Sequence, residues 1–140
     1  LLERARTMLS AEAERRGMTI DVTFEPDLPP VLVDPELLHR VLANLVLNAL
    51  QVRTRGGWVG LSAARAGPGE LVLHVADRGP GIPEGDLERI FQPFFSRRAG
   101  GTGLGLSIVQ RIVSAIGGRI EVASGPKGSD FSLVFPEAEP

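Results

Sequence analysis

The chain has 140 residues, of which 43% are hydrophobic and 23% are charged, and its formal net charge at pH 7 is -2. This composition is typical of one globular domain that buries its own core, and the lack of a basic stripe argues against a nucleic-acid-binding surface. With no cysteine and only His39 and His74, disulfides and thiolate metal centres are excluded, and so is a zinc site built from histidines.

The chain contains no run of about 18 apolar residues, and it has no signal-like N-terminus. We therefore expect a cytoplasmic domain without membrane contact. Because the first residue is not methionine, we interpret the chain as a fragment of a longer protein, and we expect the isolated fragment to be a monomer.

The first part of the chain is predicted to fold as helix, strand and helix. Residues 1–16 have apolar side chains at helical spacing and Gly17 follows as a C-cap, so we interpret residues 1–17 as a connecting helix and 18–140 as the domain proper. Residues 19–24 and 31–33 are predicted strands. Asp34 and Pro35, an acidic N-cap and a first-turn proline, predict a long amphipathic helix that extends to Ala49.

The second part is predicted to contain two hairpins around another helix. Strands at 58–65 and 70–76 are joined by a turn, and a loop-rich tract at 77–103 exceeds the usual connection length, as functional lids do. A helix at 104–116 ends at Gly117 and Gly118, and strands at 119–123 and 131–135 close the chain. The order of elements predicts an α/β fold, a mixed sheet with helices on one face.

Two asparagines, Asn44 and Asn48, are spaced i, i+4 on the first long helix, so their side chains lie on the same face. Their neutral oxygens suit a magnesium ion that phosphate oxygens already hold. The alternative is that they cap or cross-link neighbouring loops.

An aspartate directly follows an apolar strand in Asp77-Arg78-Gly79-Pro80-Gly81. A carboxylate in a pocket at a strand end would accept a hydrogen bond from an exocyclic amine, a contact worth about 1.5–3 kcal/mol. The two glycines would leave room for a flat ring. A plain Asp-initiated turn explains the same pattern.

The long loop contains Phe91 and the adjacent phenylalanines Phe94 and Phe95, followed by Arg97 and Arg98. These aromatic rings would tether a lid to the core, and one of the arginines would reach a terminal phosphate. The run Gly101-Thr102-Gly103-Leu104-Gly105-Leu106 then opens the next helix. Glycines before a helix let its free N–H groups approach an anion, although they also occur as plain turns.

In this order the four motifs resemble the N, G1, F and G2 boxes of bacterial sensor histidine kinases, which belong to the Bergerat (GHKL) superfamily. Residues 128–131 resemble the last glycine box, with Ser129 where threonine is more usual. The resemblance covers about residues 18–135, and the asparagine run is most similar to the nitrogen-regulatory type. It implies a two-layer sandwich of about five mostly antiparallel strands and about three helices, with an ATP lid.

The resemblance also implies an ATP site with Mg²⁺. Asn48 and Asn44 would approach the metal and the phosphates, and Asp77 would receive the adenine amino group. Ser129 would assist at the adenine end, and Arg98, near the γ-phosphate, would join Asn48 as a catalytic residue. The other implied nucleotide contacts are Gly79, Gly81, Ile82, Phe91, Gly101, Thr102, Gly103, Leu104, Gly105 and Leu106.

The implied function is transfer of the γ-phosphoryl group to a histidine on a separate dimerisation domain, and from there to a response-regulator aspartate. Related ATPases carry a glutamate base where this chain has Asn44, and a carboxamide cannot act as a general base. His39 and His74 lie outside any His-Glu or His-Asp acceptor motif. A scaffolding role, or a serine kinase or ATPase of the same superfamily, stays open, whereas the glycine spacing disfavours dinucleotide-binding and P-loop enzymes.

Overall fold

The structure is a computed structural model that describes residues 2–28, 31–50, 57–79, 81–93 and 105–137. Its regular elements follow the predicted α/β order, and a short 3-10 helix at Glu84–Asp86 lies between the third strand and the third helix. The elements are α1 Leu2–Arg15, β1 Thr19–Phe24, α2 Pro35–Leu50, β2 Trp58–Arg65, β3 Glu70–Asp77, α3 Gly105–Ala115, β4 Arg119–Gly125 and β5 Gly128–Pro136.

The five strands form one mixed sheet in the order β1-β2-β3-β5-β4. β1 is parallel to β2, and the other neighbouring pairs are antiparallel. Three helices, α1, α2 and α3, pack together and against this sheet. The predicted fold class, two hairpins and mixed sheet are therefore confirmed.

One predicted strand, at residues 31–33, is wrong. In the structure this segment belongs to no strand. Val31 and Val33 pack against the core, whereas Leu32 between them is 88% exposed. A loop that lies on the core thus produces the same alternation of buried and exposed side chains as a strand, so the alternation in the sequence does not indicate a paired strand here.

Local hydrogen bonds fix the helix ends where the sequence predicts them. Asp34 Oδ1 accepts from the backbone N–H of Glu36 at 2.9 Å and of Leu37 at 3.3 Å, which caps α2. At the C-terminal end of α3, Gly117 has φ 87° and the N–H of Gly118 donates to the carbonyl of Val113 at 2.9 Å. This pattern is the Schellman motif, and α1 ends in the same way at Gly17, whose φ is 65°.

α1 is part of the core. Ala5, Leu9 and Ala13 are buried together with the apolar faces of α2 and the sheet. On the surface, the Arg4 guanidinium donates to both carboxylate oxygens of Glu36 on α2 at 2.9 and 3.1 Å. The interpretation of residues 1–17 as a connection to another domain stays a prediction. Within the described residues, no helix is both long enough and apolar enough to cross a bilayer.

Candidate functional site

Three polar side chains lie side by side where strands of the sheet end. Asp77 is the last residue of β3, and it follows directly after the pair that Ala76 forms with Asp130 on β5. Ser129, the neighbour of Asp130, is therefore adjacent to Asp77, and Ser129 pairs in turn with Ser124 on β4. The antiparallel register thus places Asp77, Ser129 and Ser124 in one row across three strands.

The Asp77 carboxylate is partly buried and is held as an acceptor. The N–H of Gly79 donates to Asp77 Oδ1 at 2.9 Å, which closes an Asx turn. Burial raises the pKa of the Asp77 carboxyl, while the backbone amides of Gly79 and Ser129 oppose this shift and the nearby Asp130 carboxylate adds to it. A partly desolvated carboxylate gains more from a new hydrogen-bond donor than one in water would.

Two glycines beside this carboxylate are required by the protein itself. Gly81 has φ +80°, and a Cβ built on it would lie 2.1 Å from the carbonyl oxygen of Gly125. Gly128 has φ +138°, and its Cβ would lie 2.0 Å from the carbonyl oxygen of Asp77. Close backbone approach between the Asp77 loop and the β4–β5 turn therefore explains both glycines without a ligand.

A hydroxyl that the sequence analysis missed links this loop to the strands. Ser124 Oγ accepts from the backbone N–H of Ile82 at 2.6 Å, and it lies 3.0 Å from Ser129 Oγ. Ser129 itself is buried, with 7% of its surface exposed. Extending the predicted strand 119–123 to residue 124 and the predicted strand 131–135 back to residue 129 would have placed Ser124 opposite Ser129 and revealed it.

A small cavity of about 10 Å³ adjoins Asp77 on the side of α2. Its wall is braced by a stack, because the Arg78 guanidinium lies 4.3 Å from the centroid of the Trp58 ring. Trp58 Nε1 donates in turn to Asp21 Oδ2 at 2.7 Å. The residues that line the cavity are Met18, Ala49, Gly57, Trp58, Asp77, Arg78 and Gly79.

Asn44 and Asn48 are half-buried on α2, and the neighbour of Asn48, Ala49, lines the cavity beside Asp77. The last turn of α2 therefore lies next to the Asp77 pocket. Among the described residues, no group of three or more His, Cys, Asp or Glu side chains could hold a metal ion. Two neutral carboxamide oxygens fit a magnesium ion whose remaining ligands come from phosphates and water.

The predicted phosphate loop is described only at its last two residues. Gly105 and Leu106 begin α3, and a Cβ built on Gly105 would meet no described atom within 4 Å. The other predicted contacts in this region, Arg98 and residues 101–104 (Gly101, Thr102, Gly103 and Leu104), lie outside the described residues.

Phe91 connects the segment after Asp77 to the sheet. Its ring lies edge-on to that of Phe131 on β5, with the centroids 6.4 Å apart and the planes at 88°. Phe91 and Ile82 both pack against the core. The structure thus brings Asp77, Ile82 and Ser129 together at one end of the sheet, and whether they contact a nucleotide stays a prediction.

The family of this domain follows from comparison with known proteins. The model for the histidine kinase-, DNA gyrase B- and HSP90-like ATPases matches residues 33–139. The chain belongs to this family. Within the family it is similar to sensor histidine kinases: it is 39% identical to the sensor histidine kinase ZraS of Escherichia coli (strain K12) over 137 residues, which cover 97% of the chain and 29% of ZraS.

Solved structures of histidine kinases share the fold of this ATPase-family domain. Full-length ShkA in complex with AMPPNP superposes with a TM-score of 0.88 at 32% identity, covering 99% of this chain and 30% of that one. ThkA in complex with the response regulator protein TrrA superposes with a TM-score of 0.82 at 25% identity, covering 98% and 39%. The assignment to the ATP-binding catalytic domains of sensor histidine kinases is confirmed, while the nitrogen-regulatory subtype stays a prediction.

The chain spans less than a third of the length of ZraS. The family assignment therefore identifies an ATPase-type catalytic domain, and the reaction of a complete kinase is a separate question. Asp77 and Ser129, for which the sequence predicts contacts at the adenine end, lie side by side in the sheet.

Proposed function

We propose that this domain binds ATP together with Mg²⁺ and transfers the γ-phosphoryl group to a histidine on a separate dimerisation domain of the same protein. A response-regulator aspartate then receives the phosphoryl group. The observation that carries the proposal is the partly buried Asp77 carboxylate, fixed by Gly79 and adjacent to Ser129, in a chain of this ATPase family.

Asp77 supplies the base selectivity. Its carboxylate accepts hydrogen bonds only, so it favours the amino group of adenine and repels the carbonyl oxygen that guanine presents at the same position. The Asx turn to Gly79 holds the carboxylate in place before the base arrives, which reduces the ordering cost of binding.

Asn48 and Asn44 would hold the metal through their carboxamide oxygens, with the triphosphate supplying the charged ligands. When bound, the magnesium ion would neutralise charge on the phosphates. Arg98 and the glycine loop that leads into Gly105 would bind the terminal phosphates, in line with the roles that the sequence predicts for them.

Transfer is favoured over hydrolysis because of Asn44. Its carboxamide cannot take a proton from water, so water near the γ-phosphate is not activated and the nucleophile must come from elsewhere.

The chain's own histidines are poor acceptors of the phosphoryl group. His39 is 6% exposed, and its Nε2 lies 2.9 Å from Met8 Sδ. His74 Nδ1 lies 3.1 Å from an oxygen of Asp130.

Two related structures support the nucleotide and the response regulator in this proposal. ShkA was solved with AMPPNP, an ATP analogue, and ThkA with a response regulator protein. Their similarity to this chain extends over 99% and 98% of its length.

Calorimetric titration with ATP and with GTP, each with and without Mg²⁺, tests the binding half of the proposal. We expect ATP binding that Mg²⁺ strengthens, and little response to GTP. A folded sample that binds neither nucleotide would overturn the proposal in favour of a scaffolding role.

Substitution of Asn44 tests the transfer half. Asn44→Glu places a carboxylate one helical turn before Asn48, and we expect ATP hydrolysis by the isolated chain to rise at least about tenfold, since a general base contributes 10²–10⁴ in rate. Asn44→Gln is the matched control, because it has the same length without the charge. Equal hydrolysis by both variants would show that the lack of a base at this position does not limit hydrolysis.

A further inference from the structure

Ser124 is the one residue that bonds both to the loop after Asp77 and to Ser129, among the residues that the structure describes. It lies on β4, directly opposite Ser129 on β5. Its Oγ is 2.6 Å from the backbone nitrogen of Ile82, 3.0 Å from Ser129 Oγ and 3.5 Å from the carbonyl oxygen of Gly128.

Chemistry fixes the donor at the Ile82 contact, and the distances decide between the two arrangements that are open at the others. A backbone N–H can only donate, so Ser124 Oγ is the acceptor for Ile82. The single hydroxyl hydrogen of Ser124 is then left for Ser129 Oγ or for the Gly128 carbonyl. The 3.0 Å contact with Ser129 lies at the upper limit of the usual range for two hydroxyls, whereas the 3.5 Å contact with Gly128 lies outside it. We therefore assign the hydrogen to Ser129, because the reverse arrangement, with Ser129 donating, would leave the Ser124 hydrogen only the long contact with Gly128.

This assignment decides what Ser129 can offer. When its oxygen accepts from Ser124, its own hydrogen must point to another acceptor. Ser129 is 7% exposed and lies next to Asp77 in the row across the strands. The row therefore presents an acceptor at Asp77 and a donor at Ser129, side by side.

That pair matches one edge of adenine, whose amino group donates and whose neighbouring ring nitrogen, N1, accepts. Guanine carries the reverse pair, a carbonyl oxygen and an N1–H. Adenine would pair with both buried polar groups, whereas guanine would leave them without hydrogen-bond partners, and this loss disfavours guanine.

We propose that Ser124 is a positioning residue for base selection: by accepting from Ile82 and donating to Ser129, it fixes Ser129 as the donor to adenine N1, directly or through one water. This inference rests on the proposed function, because it takes the base to lie against Asp77. Ser124 does not touch the nucleotide in this scheme.

The test uses 1-deaza-ATP, which retains the amino group but lacks the N1 acceptor, beside ATP and GTP in calorimetric titrations. For the unaltered chain we expect ATP to bind about tenfold tighter than 1-deaza-ATP, the worth of one hydrogen bond in a desolvated site. For Ser124→Ala we expect this ratio to fall towards one, while affinity for 1-deaza-ATP changes little.

Two further variants separate positioning from a general loss of structure. Ser124→Thr retains the hydroxyl and should keep the ratio of the unaltered chain. Ser132→Ala is the matched control on β5, since its hydroxyl contacts His74 at 3.1 Å, and it should leave both affinities unchanged.

The outcomes are distinct. A tenfold ATP to 1-deaza-ATP ratio that persists in Ser124→Ala overturns this inference and leaves the proposed function standing, whereas an unaltered chain that binds no nucleotide overturns both. If Ser124→Ala fails to fold, Ser124→Cys gives the same reading, because a thiol is a weak donor and a weak acceptor: a ratio that falls towards one supports the role of Ser124, and an unchanged ratio refutes it.

Discussion

The two ends of the proposed nucleotide site use glycine for different reasons. At the base end, Gly81 and Gly128 have positive φ and lie so close to neighbouring carbonyl oxygens that a Cβ could not fit. At the phosphate end, a Cβ on Gly105 would meet no described atom within 4 Å. The protein therefore needs its glycines at the base end, whereas no described residue requires a glycine at the start of α3.

The difference extends to the polar groups. Asp77 already accepts from Gly79, and Ser124 already bonds to Ile82 and Ser129. These side chains are already held in place before the base binds, so the entropic cost of ordering them on binding is low. Substitution of a glycine at the base end should therefore cost stability, whereas substitution of the glycine at the phosphate end should weaken binding without a loss of stability.

The largest effect is expected for Gly128→Ala. The new Cβ would lie 2.0 Å from the Asp77 carbonyl oxygen at φ +138°, so backbone strain and overpacking combine to about 3 kcal/mol of lost stability in urea unfolding. Gly69→Ala is the matched control, with φ +75° in open space, and should cost about 1 kcal/mol. Equal losses at both positions would show that the close approach to Asp77 is unimportant.

Asp77→Asn should separate binding from stability at the base end. The affinity for ATP should fall about 10- to 100-fold, the worth of a hydrogen bond to a charged group. Stability should stay level or rise slightly, because burial disfavours the charged carboxyl. The control is Asp130→Asn, which removes the neighbouring charge on β5 and should change ATP affinity less than about threefold. An Asp77→Asn variant that binds ATP normally would remove Asp77 from base recognition.

Gly105→Ala tests the phosphate end. We expect about a tenfold loss of ATP affinity, because the methyl group would occupy space that the phosphates approach. The free energy of unfolding should stay level or rise by up to about 1 kcal/mol, since alanine favours the helix. Gly85→Ala, also in open space, should leave affinity unchanged. Normal binding by Gly105→Ala would contradict a phosphate contact there and weaken the contrast between the two ends.

The same contrast explains what the sequence could predict. Helix ends depend on neighbours in the chain, so Asp34 and Gly117 predicted them correctly. The Asx turn at Asp77 also depends on a neighbour in the chain, because its hydrogen bond comes from Gly79 two residues later. Ser124 has no motif, and its role comes from a hydrogen bond to Ile82, 42 residues away, and from cross-strand register. Such contacts become visible only once the strands are paired, which is also why the segment at 31–33 was misassigned.

The smallest expected effect is a pH dependence that Asp77 confers on the base end. Because burial raises the pKa of this carboxyl in the folded chain, it takes up a proton at a higher pH than a free aspartate does. A protonated carboxyl is a poorer acceptor, so ATP affinity should be level above this pKa and fall severalfold as pH drops through it.

The variant Asp77→Asn isolates this effect in calorimetric titrations at a series of pH values. The variant has no carboxyl at this position, so the pH dependence that it retains comes from the nucleotide and from other groups, and the ratio of the two ATP affinities reports what the Asp77 carboxyl adds. For stability the sign is opposite: the raised pKa means that ionisation of Asp77 costs folding free energy as pH rises from its unfolded to its folded pKa. Unfolding should therefore show Asp77→Asn gaining stability relative to the unaltered chain across the window in which the unaltered chain gains ATP affinity. If the stability of the unaltered chain relative to Asp77→Asn instead rose with pH across this window, as its ATP affinity does, the carboxylate would be stabilised by folding, and the base end would not hold it as a partly desolvated acceptor.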